Sequence, residues 1–198
     1  KEFYKHISHE WTDPLTHLHF KLEGITEYSA LLYIPSKKPF DLFQPERKHG
    51  IQLYCKRVFI MDNCKELMPE YLRFVKGVVD APDLNLNVSR EILQQDRLVK
   101  NIRKNLVKKI LDLFAGMEKE QYETFYNEFG SVIKEGVYTD FENKDKLANL
   151  LRYKTTKSED KLISLNEYLT NMKADQKEIY YITGESLTTL INSPHLET

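Results

Sequence analysis

Leu84-Asn85-Leu86-Asn87-Val88-Ser89-Arg90-Glu91-Ile92-Leu93-Gln94 is where the hydrophobic period of this chain changes, and that change decides the fold class. Before it, residues 75–80 read as a strand and Ala81-Pro82-Asp83 as a turn. Behind it, Ile92, Val99, Ile102, Leu106, Ile110 and Leu113 recur at helical spacing and form one face of a long helix. Ser89 has the chemistry of an N-cap, because its side-chain oxygen can accept a bond from a free backbone N–H. Arg90 then falls in the first turn, where the helix dipole disfavours a cation by a few tenths up to about 1 kcal/mol. A residue that breaks a local preference points to a use beyond the helix. The plainer alternative is an ion pair with Asp83 or Glu91. Gly116 is a candidate C-cap.

Upstream, the chain reads as a sheet with helices. Leu18, Phe20 and Leu22 alternate along residues 17–23, the mark of a half-buried strand. Gly24 marks a turn, and residues 28–34 read as a second strand pairing with the first. Pro35 and Pro39 interrupt the pattern. Residues 51–61 are β-rich, with a shift of alternation between Cys55 and Val58 that suggests a bulge or bend. Pro69 can open a short helix through Phe74. Strands interleaved with helices point to a layered α/β unit ending near Gly116.

Downstream, the pattern is more helical. Tyr122, Phe125, Tyr126 and Phe129 share a helix face, with Gly130 as its stop. Residues 144–153 read as another helix, and Ser164-Leu165-Asn166-Glu167 as a capping box opening a helix toward Met172. Residues 179–183 read as a short buried-type strand, followed by a helix from Glu185 to about Asn192. A strand and crossover helix normally return to a parallel strand, and none follows before Thr198. The expectation is a truncated smaller unit whose last ~20 residues are poorly anchored, because an unpaired strand exposes its backbone groups.

Composition sets bounds. The chain has 198 residues, 30% of them charged, and a net charge of −1, which gives no global bias toward nucleic acid or anionic membrane. Cys55 and Cys64 make neither a disulfide framework nor a metal pattern. No apolar run approaches the ~20 residues of a membrane helix. The chain opens Lys1-Glu2-Phe3, and the expectation is an internal piece of a longer, cytoplasmic protein. There is no Gly-rich phosphate loop, dinucleotide fingerprint or zinc-protease motif. His6 with His9, and His17 with His19, can share a face but lack an obvious third ligand, so no metal is expected.

The run from Val78 to Gln95 resembles the middle segment of the 90-kDa heat-shock protein chaperones. So do Tyr33-Ile34-Pro35, Pro39-Phe40-Asp41-Leu42-Phe43, and the stretch from Leu53 through Lys56-Arg57-Val58-Phe59 to Ile60. Residues 71–77, 150–153 and 179–186 continue the resemblance in the family's order. It implies a layered α-β-α middle domain over 1–116 carrying the catalytic stretch. A helical connector over 117–157 and a partial smaller α/β unit over 158–198 would follow. It implies that Arg90 reaches the γ-phosphate of ATP, held with Mg in the preceding N-terminal domain, and that Gln94 supports it. Arginine suits that task because it is always charged and forks onto phosphate oxygens. Arg57 and Phe59 would belong to the patch that docks the ATP domain, and Trp11 would contact client proteins. The parent would be an ATP-driven homodimer that acts on partly folded clients, with co-chaperones possible. This segment alone would bind no cofactor and hydrolyse no ATP. Asn85 stands where the family usually has proline.

Each residue also has a plainer reading: Phe59 as core, Trp11 as an N-terminal packing anchor. Two other functions fit the residues. One is an ATP-independent binding module presenting Trp11, Phe40, Phe43 and Phe59. The other is a nucleic-acid binder using Lys100, Arg103, Lys104, Lys108 and Lys109 on the long helix. The bland alternative for that helix is a solvated charged face.

Overall fold

Alternation of Leu18, Phe20 and Leu22 with His17, His19 and Lys21 gives a strand with one half-buried face and one exposed face. A computed structural model describes residues 1–24, 26–44, 50–84, 97–158 and 161–196. Helix α1 (Glu2–Ser8) leads into β1 (Thr16–Leu22), which pairs antiparallel with β2 (Tyr28–Ile34) from Thr16↔Ile34 to Leu22↔Tyr28. Then come β3 (Gly50–Cys55), β4 (Val58–Met61) and β5 (Lys76–Asp80). The order across the sheet is β1-β2-β5-β3-β4, with β5 antiparallel to β2 and parallel to β3. At the centre, Gly77 holds φ at +151°, and a Cβ there would come within 2.3 Å of the Leu31 carbonyl oxygen. Only glycine allows β5 to lie that close to β2.

The β-rich run 51–61 is a hairpin. Cys55 faces Val58, so Lys56-Arg57 is a two-residue turn, with φ of 51° and 66°. Positive φ at both turn residues matches the twist of the flanking strands. Neither residue is glycine, so each costs on the order of 1 kcal/mol. The shift of alternation read between Cys55 and Val58 is this turn. The pairing slips once more between Leu53/Tyr54 and their partners Met61 and Phe59. The short helix expected from Pro69 is a 3-10 turn at Glu70–Leu72.

Helix α1 packs over β5 on one side of the sheet, where Tyr4 meets Tyr33 at 5.2 Å between ring centroids. On the other side lie α2 (Arg97–Ala115), α3 (Lys119–Thr139) and α4 (Lys144–Leu150), giving three layers. Phe74 stacks on Phe129 at 4.3 Å, as Phe114 does on Phe125, at the heart of one continuous core. Such ring pairs contribute about 0.5–1.5 kcal/mol each beyond the area they bury. The Gly116 N–H reaches back to the carbonyls of Asp112 and Leu113, closing α2 where the C-cap was expected.

Gly130 does not stop its helix. The buried series Phe129, Val132, Ile133 carries α3 on to Thr139, and packing outweighs the roughly 1 kcal/mol that an interior glycine costs. Helix α3 packs in the same core as the sheet. Arg73 is the one buried charged side chain among the described residues. It donates to the carbonyls of Leu42 and Glu70 at 3.0 Å and to the Glu135 carboxylate in a fork. It thereby ties the 39–43 turn to α3.

The chain forms two compact units, Lys1–Leu165 and Asn166–Thr198. The first closes with a single bridge between Tyr153 and Ile163. In the second, α5 (Leu165–Thr170), which starts at its boundary, is followed by an irregular stretch and by α6 (Leu187–Ile191), capped by Ser186, which accepts from Thr189 N–H. The buried-type strand expected at 179–183 is absent. Those residues have no strand assignment, and Tyr180 and Tyr181 are 73% and 87% exposed. Without a neighbouring strand, the apolar run finds neither ladder bonds nor cover.

Candidate functional site at the stem of residues 85–96

Arg90 and Gln94 lie outside the described residues, but both ends of their stretch are described. It departs after Leu84, which is buried, and returns at Arg97, where α2 begins and Val99 anchors the helix in the core. It therefore springs from the C-terminal end of β5, a central strand.

The stem 80–84 is held by the β3–β4 hairpin. Ala81 N–H donates to the Tyr54 carbonyl at 3.0 Å. The Cys55 thiol, fully buried, donates to the Leu84 carbonyl at 3.0 Å. The Arg57 N–H donates to Asp80 Oδ1 at 3.3 Å. Leu84 N–H bonds the Ala81 carbonyl at 3.1 Å, which closes the turn. The structure thus brings Arg57 and Phe59 onto one hairpin and ties that hairpin to the stem of the Arg90 stretch.

Phe59 is half exposed, with its ring edge-on to Tyr54 at 5.6 Å. Val58 beside it is 55% exposed. An apolar pair left in solvent on an edge strand is a surface suited to a partner, since no core claims it. Reading the sequence missed Val58, Cys55 and Asp80. Consecutive apolar residues just after a turn would have flagged Val58, but nothing local signals the two stem contacts. Next to the turn lies an open depression lined by Lys21, Glu27, Tyr28, Ser29, Lys56, Arg57, Asp80 and Pro82. Both signs of charge line it, and Lys21 is paired with Glu23 and Glu27 at 2.8 and 3.0 Å.

Trp11 sits between α1 and β1 and is 93% exposed, so it packs against little. Its segment is pinned two residues on, at Asp13. Asp13 pairs with Lys1 and Lys5, whose hydrogen bonds hold its carboxyl below the usual range, and the Asp13 carbonyl accepts from Ser36 Oγ. Phe40 is as exposed as Trp11. On the basic helix face Lys104 pairs with Glu142 at 2.8 Å, and the Lys109 ammonium lies over the Phe20 ring. Burial pushes the Cys64 thiol up to about 12, with Glu66 adding to the effect, so it is protonated and inert at neutral pH. Among the described residues, no three His, Cys, Asp or Glu side chains gather as metal ligands, and no helix is long and apolar enough to cross a membrane.

A family model described as Hsp90 protein matches residues 1–198. The chaperone protein HtpG of Geobacter metallireducens is 56% identical over 201 residues, all of this chain and 31% of that protein. The HtpG of Nocardia farcinica is likewise 56% identical, with the same coverage. The chain thus spans about a third of the length of these relatives. Among solved structures, the middle domain of a Plasmodium falciparum putative heat shock protein superposes with a TM-score of 0.83 at 36% identity. It covers 98% of this chain and 76% of that one.

Proposed function

This chain belongs to the Hsp90 protein family, as a chaperone middle domain, and from that premise we propose that it supplies Arg90 to the γ-phosphate of ATP bound in a preceding N-terminal domain. One observation carries the reading: the hairpin bearing Arg57 and Phe59 is bonded to the stem of the stretch that contains Arg90. A domain seated on the half-exposed Val58 and Phe59 therefore bears on the hairpin that holds the stem of the Arg90 stretch. Bound ATP with Mg supplies the phosphoryl group and the charge that builds on its oxygens. Arg90 stabilises that charge through a fork of N–H donors, and Gln94 orients it. No nucleotide is held by this segment alone, which has no ATPase activity by itself. The full-length protein is a cytoplasmic homodimer, with co-chaperones as further partners.

A second reading concerns clients. Trp11 presents a nearly bare indole on a segment pinned by Asp13, and such a rigid apolar anchor suits a partly folded chain with exposed apolar residues. The pairing of Lys104 with Glu142 takes one cation of the α2 face away from phosphate binding, which weighs against nucleic acid as the partner.

The test is ATP turnover in the full-length chaperone carrying this segment. Arg90→Ala is expected to lower kcat by about 10–100-fold, less than a typical arginine finger because domain closure also limits turnover. ATP affinity should hardly change. Arg90→Lys should not rescue, since an ammonium cannot fork onto two oxygens. Gln94→Ala should give a weaker form of the same defect. Normal kcat in Arg90→Ala, or an effect wholly on the Kd for ATP, refutes the reading.

A further inference from the structure

We infer that Cys55 and Asp80 are positioning residues for Arg90: they fix the stem from which residues 85–96 depart, so ATP turnover depends on both although neither reaches the nucleotide. The inference rests on the reading of Arg90 given above. Three bonds join the hairpin to the stem, and each fixes a different atom: Asp80 Oδ1, Ala81 N and the Leu84 carbonyl. The Ala81 bond is backbone to backbone and survives any side-chain change. The other two depend on Cys55 and on Asp80.

Cys55 does more than fill space. Its buried thiol meets the carbonyl of the last described residue before the stretch, with the Pro82 carbonyl also within 3.7 Å. The bond from Leu84 N–H to the Ala81 carbonyl fixes the same residue at its other end, so the thiol sets the direction in which the chain leaves. Asp80 captures the turn. Lys56 and Arg57 adopt left-handed backbone at a turn with no glycine, and the Arg57 N–H so placed meets the Asp80 carboxylate. A shift of the stem at Leu84 shifts the point from which the chain runs on to Arg90. A misplacement of about 1 Å can cost on the order of 10²-fold where geometry sets the rate.

The experiment compares Cys55→Val and Asp80→Ala with Cys55→Ser and Asp80→Asn in the full-length chaperone. Valine removes the donor at nearly constant volume, and alanine removes the acceptor. Serine and asparagine keep one of each. The first pair is expected to lower kcat by about 3–10-fold, with KM and Kd for ATP unchanged, because the lost contacts act through placement of Arg90 and not on the nucleotide. The second pair should recover most of the rate. A purely structural role would instead lower stability without this split and without rescue. The inference is overturned if both Cys55→Val and Asp80→Ala keep normal kcat, if the loss lies in ATP affinity, or if serine and asparagine fail to rescue. Should Cys55→Val not fold, the Asp80 pair decides, since that side chain is only half-buried. Arg90→Ala measured alongside separates the two failures. A slow Arg90→Ala with normal stem variants sinks this inference alone, whereas a normal Arg90→Ala sinks the functional reading beneath it.

Discussion

Trp11 and Tyr4 are aromatic residues seven positions apart, with opposite fates. Tyr4 is fully buried under α1, and Trp11 is almost bare. Their difference follows from what faces them. Tyr4 lands on Tyr33 of the sheet, while Trp11 lies on a connector held by Asp13 and Ser36, with no element beyond it. Trp11→Ala is expected to leave the unfolding free energy within about 0.5 kcal/mol of the parent. It should weaken capture of an unfolded client by the full-length chaperone. Denaturant unfolding together with aggregation suppression checks both parts. A loss of several kcal/mol would make Trp11 a packing anchor. Arg90 was visible in the sequence as a cation at an unfavourable helix end, but its role came from the resemblance. The contacts that serve its stem join Cys55 to Leu84, and no pattern in either segment announces the other.

Helix α3 illustrates how packing overrides local preference. Gly130 and Gly136 both sit inside it, where propensity alone would end or weaken a helix. At Gly136 a Cβ would lie 2.8 Å from Cγ of Tyr71 and 3.0 Å from Leu147. Tyr71 cannot swing away easily, because it is buried and its hydroxyl donates to Asp140 at 2.6 Å. Gly136→Ala is therefore expected to destabilise the protein by about 1–2 kcal/mol, overpacking exceeding the gain of roughly 1 kcal/mol in helix propensity. Thermal unfolding is the measurement, and a raised Tm would show that the ring gives way at low cost. The 179–183 stretch shows the converse. Its composition is strand-like, yet with no partner ladder it forms no strand. β propensity expresses fit to neighbours more than an intrinsic backbone preference.

At the scale of the whole first unit, buried phenols couple stability to alkaline pH. Burial pushes Tyr4 and Tyr28 up to about 12, and moves Tyr71 and Tyr122 higher still. At Tyr71 the hydrogen bond to Asp140 adds to the burial effect. Below about pH 10, the ordinary phenol value, folded and unfolded chains both hold these protons and the contribution is constant. Above it the unfolded chain sheds protons that the folded chain keeps, so stability falls with every further rise until the folded values are passed. The urea midpoint should drop steeply between about pH 10 and 12, and phenolate absorbance should show a group of tyrosines that ionise only as the fold is lost. One reversible titration of all tyrosines near pH 10, with the circular dichroism intact, would contradict this.

Element types are legible in the amino-acid pattern wherever one face of an element has to be buried. The alternation in β1 and the three-and-four spacing of α2 are carried by a dozen residues each or fewer, and each period fits one backbone geometry. The pattern also carries the family, because the motif blocks run in order along the chain. Packing between elements settles that residues 51–61 fold back as a hairpin at Lys56-Arg57, that α3 runs through Gly130, and that 179–183 forms no strand. It alone joined Cys55 and Asp80 to the stem of the Arg90 stretch. The hairpin aside, whose strands pair within ten residues, those outcomes depend on which surfaces meet at a distance along the chain, and a local period says nothing about such a neighbour.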